Sequence, residues 1–170
     1  MKGYVQIYTG NGKGKTTAAL GLSLRAVCAG KKVFFGQFVK GMKYSELNAT
    51  DMLNGFEIRQ YGRNCFIQRE PEEEDIRLAK EGLSDLREKV ISGIYDVVVM
   101  DELNIALFYK LFDIKDVLNI IREKHEKTEI IITGRYAPDE LIEVADLVTE
   151  MKEIKHYYQQ GVQAREGIEK

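Results

Sequence analysis

The sequence predicts a single α/β domain, residues 1–170, in which a doubly wound, mainly parallel β-sheet carries helices on both faces. Short apolar runs rich in β-branched residues alternate with helical patterns along the chain. Two of these runs, 97–100 and 130–132, show no polar alternation, which is typical of central strands covered on both faces. A glycine-rich loop separates the first run from a helical pattern, and strands joined through helices in this way run parallel with right-handed crossovers.

The predicted elements follow one another in a regular order. Strands are expected at Tyr4–Tyr8, Val33–Phe38, Phe56–Tyr61, Asp96–Met100, Glu129–Thr133 and Leu147–Met151. The first helix follows the glycine-rich loop over 18–22. Pro71 and the four acidic residues after it predict a helix that runs to Gly93, because acids in a first turn interact favourably with the helix dipole. Asp113 is expected to cap the next helix, and Pro138 begins a shorter one.

The composition is typical of a soluble globular protein, with 44% hydrophobic and 31% charged residues and a net charge of −2. Because acidic and basic residues are intermixed, no basic face for nucleic acid is expected. The longest apolar runs are too short to cross a bilayer, so no membrane partner is expected either. Cys28 and Cys65 are far apart and no secretory leader is found, which predicts reduced thiols and a cytoplasmic location.

The loop after the first strand is predicted to bind the phosphates of a nucleoside triphosphate. It departs from the general pattern G-x-x-x-x-G-K-[ST] because Thr9 holds the first glycine position and Gly10 is displaced by one. Lys15 would reach the phosphates, and the Thr16 hydroxyl would hold a bridging Mg²⁺ ion. A glycine-rich turn with two solvated lysines is the alternative, which the strand before and the helix after disfavour. The predicted nucleotide contacts are Thr9, Gly10, Asn11, Gly12, Lys13, Gly14, Lys15, Thr16 and Thr17.

Polar residues follow several other predicted strands, and the carboxyl ends of parallel strands meet at one edge of a sheet. Asp101 and Glu102 come directly after a buried strand, where one carboxylate could complete the Mg²⁺ shell and the other could orient a group or act as a base. Spacing does not decide which acid has which role, and an aspartate at a strand end can also simply cap a helix. Arg135 in a Thr-Gly-Arg turn and Lys40 after the second strand are candidate phosphate contacts.

A phosphate and magnesium site does not by itself identify the reaction. The same groups support hydrolysis, phosphoryl transfer, or attack at a carbon of the nucleotide with triphosphate as the leaving group. A small-molecule kinase or ATPase would use Asp101 or Glu102 as its base. A nucleotide-regulated binding module would bind ATP and form no product.

The set of motifs resembles the P-loop type of ATP:corrinoid adenosyltransferase. The P-loop with a threonine at the first glycine position and the C-terminal ending are the specific features, whereas Asp-Glu-Leu or Thr-Gly-Arg alone is a weak signal. The similar segments span nearly the whole chain: Tyr8–Ala19, Gln37–Gly41, Asp101–Leu103, Ile132–Arg135 with Leu141, Ala145 and Asp146, and an ending with Lys155, His156, Gly161, Val162, Ala164 and Gly167–Glu169.

This resemblance implies a RecA-like P-loop fold, usually a homodimer, that makes adenosylcobalamin in biosynthesis or salvage. In the family, a corrinoid reduced to Co(I) attacks C5′ of ATP, a cobalt–carbon bond forms and intact triphosphate leaves. ATP lies reversed in the loop compared with other P-loop proteins, accompanied by Mg²⁺ or Mn²⁺. A flavoprotein is the expected reductant.

The resemblance also implies roles for individual residues. Catalytic roles are expected for Lys15, Glu102 and Arg135, and metal binding for Thr16 with Asp101 or Glu102. Lys40 and Arg135 join the P-loop residues in the substrate site. The family removes the lower axial ligand of cobalt with bulky side chains on a mobile loop, which corresponds here to Gly62–Gln68, with Phe66 as the candidate side chain.

Overall fold

The computed structural model describes residues 2–63 and 70–170. Its described residues form a six-stranded sheet in the order β3-β2-β4-β5-β1-β6, in which every neighbouring pair is parallel. The strands are β1 Val5–Thr9, β2 Val33–Phe38, β3 Phe56–Tyr61, β4 Val97–Asp101, β5 Glu129–Thr133 and β6 Leu147–Glu150. The predicted parallel sheet is confirmed, and every predicted strand lies within one residue of its observed bounds.

Six α-helices accompany the described strands. They are α1 Lys15–Cys28, α2 Ala49–Met52, α3 Glu73–Ser92, α4 Leu103–Phe108, α5 Ile114–Glu123 and α6 Asp139–Val144, with short 3₁₀ turns at Ser45–Asn48 and Tyr157–Gln160. The predicted helix signals are confirmed: Asp113 accepts a hydrogen bond from the Lys115 N–H at 2.8 Å, and Gly93 ends α3 in the left-handed conformation at φ 68°. Helix α1 begins earlier than the predicted range because the turn of the P-loop passes directly into it. Helices α2 and α4 were not predicted from the sequence.

Each face of the sheet packs against a separate hydrophobic layer, as expected for a doubly wound fold. Alternate residues of one strand enter different layers: Ile130 and Ile132 pack with α3, α4 and α5, whereas Ile131 packs with α1. Val98 and Val99 of β4 divide in the same way. The uninterrupted apolar runs therefore belong to strands covered on both sides. Among the described residues, no helix is both long enough and apolar enough to cross a membrane.

The sheet register brings the chemically active strand ends together. Gln37 at the end of β2 is directly opposite Asp101 at the end of β4, and Tyr8 of β1 is opposite Thr133 of β5. Because all six strands are parallel, the loops that follow them leave from the same edge of the sheet. This edge holds the candidate site.

Candidate active site

The P-loop connects β1 to α1 and packs closely against the segment that follows β6. The Gly12 N–H donates to the Met151 carbonyl at 2.7 Å, and a Cβ on Gly12 would lie 2.8 Å from that same oxygen. Gly10 has φ 94°, and a Cβ there would lie 2.5 Å from the Met151 carbonyl. The displaced glycine is therefore needed at position 10 for both its backbone conformation and its close packing.

Thr9 serves the structure of the loop rather than facing either cavity described below. It is the last residue of β1, and its hydroxyl accepts a hydrogen bond from the Ala137 N–H at 3.4 Å. This contact joins the beginning of the P-loop to the turn after β5. Because Thr9 has the extended backbone of a strand, this position does not require glycine, and threonine fits here.

Lys15 lies over the centre of the P-loop. Its ammonium donates to the carbonyls of Gly10 at 2.8 Å and Gly12 at 2.7 Å, and the residue is only 7% exposed. Burial lowers the pKa of Lys15, and the nearby carboxylate of Glu102 opposes this effect. The cation is positioned where phosphate oxygens would enter the loop, and such oxygens would replace the carbonyl acceptors.

Asp101 is the buried centre of a hydrogen-bonded network. Its Oδ1 accepts from the hydroxyls of Thr16 at 2.8 Å and Thr133 at 2.6 Å. Its Oδ2 accepts from Lys40 Nζ at 2.8 Å and Gln37 Nε2 at 3.2 Å. Four donors thus hold the carboxylate, and the Thr16 hydroxyl, having donated its proton, keeps its lone pairs for a cation.

Lys40 is the charged partner of this carboxylate. Burial alone would lower the pKa of Lys40, but the charge of Asp101 and the hydrogen bond between them raise it above its ordinary value. The Lys40 ammonium also lies 5.2 Å from the centre of the Tyr44 ring. Lys40 therefore links the Asp101 network to the loop after β2.

Glu102 presents the second carboxylate of the strand end. Its backbone is left-handed at φ 58°, an unusual conformation for a residue other than glycine, and its N–H donates to the Thr133 hydroxyl at 3.0 Å. Burial and then the charge of Asp101 raise the pKa of Glu102, whereas Lys40 and Lys15 act in the opposite direction. A divalent cation at this position would offset the repulsion between the two carboxylates.

The donor set fits a hard divalent cation that arrives with phosphates. Thr16 and Glu102 supply oxygen atoms toward the cavity, and Asp101 supports Thr16 from behind. Within residues 2–63 and 70–170, no cluster of three or more His, Cys, Asp or Glu side chains could hold a metal ion by itself. The phosphates would therefore have to complete the coordination shell.

Two cavities adjoin at this edge of the sheet. The first has a volume of about 520 Å³ and is lined by the P-loop, the loop after β2 and the C-terminal residues, and the second has a volume of about 240 Å³. Lys15, Lys40, Tyr44 and Glu102 line both cavities. The smaller cavity is completed by Val39, Ile105 and Arg135. A molecule in one cavity would share a wall of charged side chains with a molecule in the other.

The C-terminal segment closes one side of the larger cavity. Lys13 of the P-loop forms an ion pair with Glu169 at 3.1 Å, and the Ser45 hydroxyl donates to the Lys170 carbonyl at 3.0 Å. Glu169 also accepts hydrogen bonds from Arg165 and Tyr157, and Arg165 is the main reason that the pKa of Glu169 is lowered. In the sequence, this ending was recognisable only through the family resemblance and not as part of the site, because linear spacing does not show that it folds back onto the P-loop.

Most of the predicted site residues converge. Gly14, Lys15, Thr16, Thr17, Lys13, Lys40 and Glu102 line the larger cavity, and Arg135 lines the smaller one. Asn11 is exposed and lines neither cavity, and Asp101 lies beneath the cavity floor. Phe66 lies outside the described residues. Sequence reasoning missed Tyr44, Ser45, Glu46 and His156, which also line the larger cavity.

Comparisons with known proteins agree along nearly the whole chain. A family model described as ATP:corrinoid adenosyltransferase BtuR/CobO/CobP matches residues 1–169. A corrinoid adenosyltransferase of Sinorhizobium sp is 35% identical over 99% of this chain and 80% of its own length. The corrinoid adenosyltransferase of Escherichia coli K12 is 33% identical, and that of Salmonella typhimurium LT2 is 31% identical, each over 99% of this chain and 86% of its own length.

Proposed function

Because the chain belongs to the ATP:corrinoid adenosyltransferase family, we propose that its larger cavity binds ATP and presents C5′ to a Co(I) corrinoid in the smaller one. The protein is a transferase of adenosylcobalamin biosynthesis or salvage. The electron pair of Co(I) forms the cobalt–carbon bond, the C5′–O5′ bond breaks, and triphosphate leaves with the bonding electrons. The observation that carries the placement is the pair of adjoining cavities with Lys15 and Glu102 in their common wall.

The P-loop is proposed to stabilise the leaving group. Negative charge develops on the triphosphate as the C5′–O5′ bond breaks, and Lys15, the loop amides and the amino end of α1 would face that charge. Lys15 is already desolvated over the loop carbonyls, so little reorganisation is needed when phosphate oxygens replace them. Arg135 would add a second cation from the side of the smaller cavity.

The Thr16 hydroxyl and the Glu102 carboxylate are the proposed protein ligands of Mg²⁺, or of Mn²⁺ in its place. When bound, the ion would neutralise phosphate charge. Asp101 is proposed to act through Thr16 and not as a direct metal ligand. Both of its carboxylate oxygens already accept hydrogen bonds, from Thr16 and Thr133 at Oδ1 and from Lys40 at Oδ2. This assignment separates the roles of the two neighbouring acids that the sequence left open.

The segments that close the larger cavity are proposed to limit the access of water, because Co(I) is readily protonated or oxidised. Tyr44 and Ser45 on one side, and Ile168 and Glu169 on the other, form this enclosure. The cytoplasmic location predicted from the isolated cysteines is retained as a proposal, as are the homodimer and the flavoprotein reductant implied by the resemblance. No observation favours the kinase, ATPase or binding-module alternatives.

Substituting Lys15→Ala is expected to abolish formation of adenosylated corrinoid, because the cation closest to the leaving group is lost. Anaerobic mixtures of protein, Mg-ATP and chemically reduced cobalamin would be analysed by mass spectrometry for the photolabile product. Lys80→Ala is the matched control, since this lysine is exposed on α3 and forms no contact with the site. Turnover near that of the unchanged protein in the Lys15 variant would refute the proposed site.

A further inference from the structure

An exposed pair of stacked aromatic rings lies beside the smaller cavity. Phe108 at the end of α4 and Tyr136 in the turn after β5 have ring centres 4.6 Å apart and planes inclined by 29°. Phe108 is 56% exposed and Tyr136 is 54% exposed. Two large rings that stack on each other while both remain open to solvent form a joint apolar surface that can contact a ligand or partner.

The backbone holds this pair in place at an energetic cost. Tyr136 has φ 59°, a left-handed conformation that is unfavourable for an aromatic residue. The turn before it is fixed against α4, because Asn104 Nδ2 donates to the Gly134 carbonyl at 3.0 Å and a Cβ on Gly134 would lie 2.9 Å from the Asn104 Cβ. The two rings are therefore held by connected, tightly packed segments, and retained strain of this type is concentrated at functional sites.

The aromatic pair continues the wall of the smaller cavity. Ile105 and Phe108 are three residues apart on α4, which makes them neighbours on the surface of the helix, and Glu102 directly precedes the helix. Glu102 and Ile105 line the smaller cavity, as does Arg135, the residue directly before Tyr136. Each ring therefore neighbours a residue that lines the smaller cavity: Phe108 neighbours Ile105 on α4, and Tyr136 directly follows Arg135.

We propose that Phe108 and Tyr136 form a platform that binds the corrin ring of the second substrate. This inference rests on the proposed function, which requires cobalt to approach C5′ through the smaller cavity. A cavity of about 240 Å³ is smaller than the sites that enclose drug-sized ligands, so the larger corrin macrocycle must extend onto the neighbouring surface. The platform lies on that route and offers aromatic faces to the methyl-bearing macrocycle.

The test compares Phe108→Ala, Tyr136→Gly and the double variant with Tyr4→Ala, an exposed aromatic at the opposite, amino edge of the sheet. Each platform variant is expected to weaken corrinoid binding about two- to tenfold, as judged from the energies of aromatic pairs, with the KM for ATP unchanged. Binding of hydroxocobalamin by calorimetry and the KM for reduced cobinamide are both measured. Tyr136→Gly relieves the left-handed strain, so its melting temperature should equal or exceed that of the unchanged protein.

Corrinoid affinity and KM equal to those of Tyr4→Ala in all three variants would overturn the platform. Sedimentation velocity provides a second check: if the variants lose corrinoid binding only because they change from dimer to monomer, the rings form a subunit contact and the proposal is wrong. If the unchanged protein makes no adenosylated product but binds hydroxocobalamin in a ring-dependent manner, the platform is supported although the proposed function fails. Absence of binding by the unchanged protein would refute the platform.

Discussion

At the scale of single residues, Asp101 and Glu102 differ although they are neighbours at the end of one strand. Asp101 is fully buried and accepts four side-chain hydrogen bonds, whereas Glu102 turns into the left-handed conformation and lines both cavities. The difference arises from the backbone. The sheet register places Asp101 directly opposite Gln37, whereas Glu102 lies just beyond the strand in a left-handed conformation. One carboxylate can therefore organise the site while the other contacts what binds there.

Asp101→Asn tests the organising role. An amide presents one oxygen and an NH₂ group where four donors now converge, so at least one donor must lose its acceptor. Loss of such supporting contacts is expected to raise the Mg²⁺ concentration needed for half-maximal rate about ten- to a hundredfold. Magnesium titrations of the variant and of Asp51→Asn, an exposed control, provide the comparison. An unchanged magnesium requirement would remove Asp101 from this role.

The residues of the site were only partly predictable from the sequence. Strand ends and the P-loop pattern predict that Lys15, Thr16, Asp101 and Arg135 meet at one edge. The different roles of Asp101 and Glu102 depend on side-chain register, which one sequence does not contain. The contributions of Ser45 and Glu169 depend on two distant segments that fold over the P-loop.

At the scale of secondary structure, the amino end of α3 is fixed by a reciprocal capping arrangement. The Glu72 side chain accepts from the N–H of Asp75, and the Asp75 side chain accepts from the N–H of Glu72 at 3.0 Å. Arg63 adds two hydrogen bonds to the same Asp75 carboxylate, at 2.7 and 2.9 Å. The predicted acidic first turn therefore also anchors the chain segment that follows β3.

Asp75→Asn is expected to lower the free energy of unfolding by about 1–2 kcal/mol at pH 7, the usual value of a helix cap with a charged partner. Burial alone would raise the pKa of Asp75, but the hydrogen bonds from Arg63 and the Glu72 N–H lower it. Because the folded-state pKa is lowered, the stabilisation is present above the unfolded pKa of about 3.9 and is lost as the pH falls through the folded value.

Urea unfolding of the unchanged protein and the Asp75 variant between pH 3 and pH 7 measures this effect. The difference between the two proteins should shrink as the pH falls below about 4. Glu88→Gln, an exposed position on the same helix, is the control and should show little difference at any pH. A difference that stays constant across the range would mean that the contribution of Asp75 does not depend on its charge.

The longer elements were predictable because they repeat a strong local signal. The β-branched runs locate the strands, and Pro71, Asp113 and Pro138 mark helix starts. Helices α2 and α4 have only four and six residues, too few for a periodic pattern to appear. Helix α4 also begins after the left-handed Glu102, a conformation that no local preference predicts.

At the scale of the whole molecule, the parallel sheet gathers loops from distant parts of the chain at one edge. The P-loop follows β1, Asp101 ends β4, Arg135 follows β5, and the C-terminal segment returns from β6 to close the larger cavity. The two cavities lie side by side, which suits the proposed reaction between two substrates. This arrangement agrees with the family to which the chain belongs.

The most direct test of this account is phosphorus NMR of an anaerobic mixture of the protein, Mg-ATP and cobalamin reduced chemically to Co(I). Attack at C5′ predicts free triphosphate, formed only when the Co(I) corrinoid is present and in the same amount as adenosylated corrinoid. ADP and inorganic phosphate, formed whether or not the corrinoid is present, would show that the P-loop carries out phosphoryl chemistry and would contradict the account.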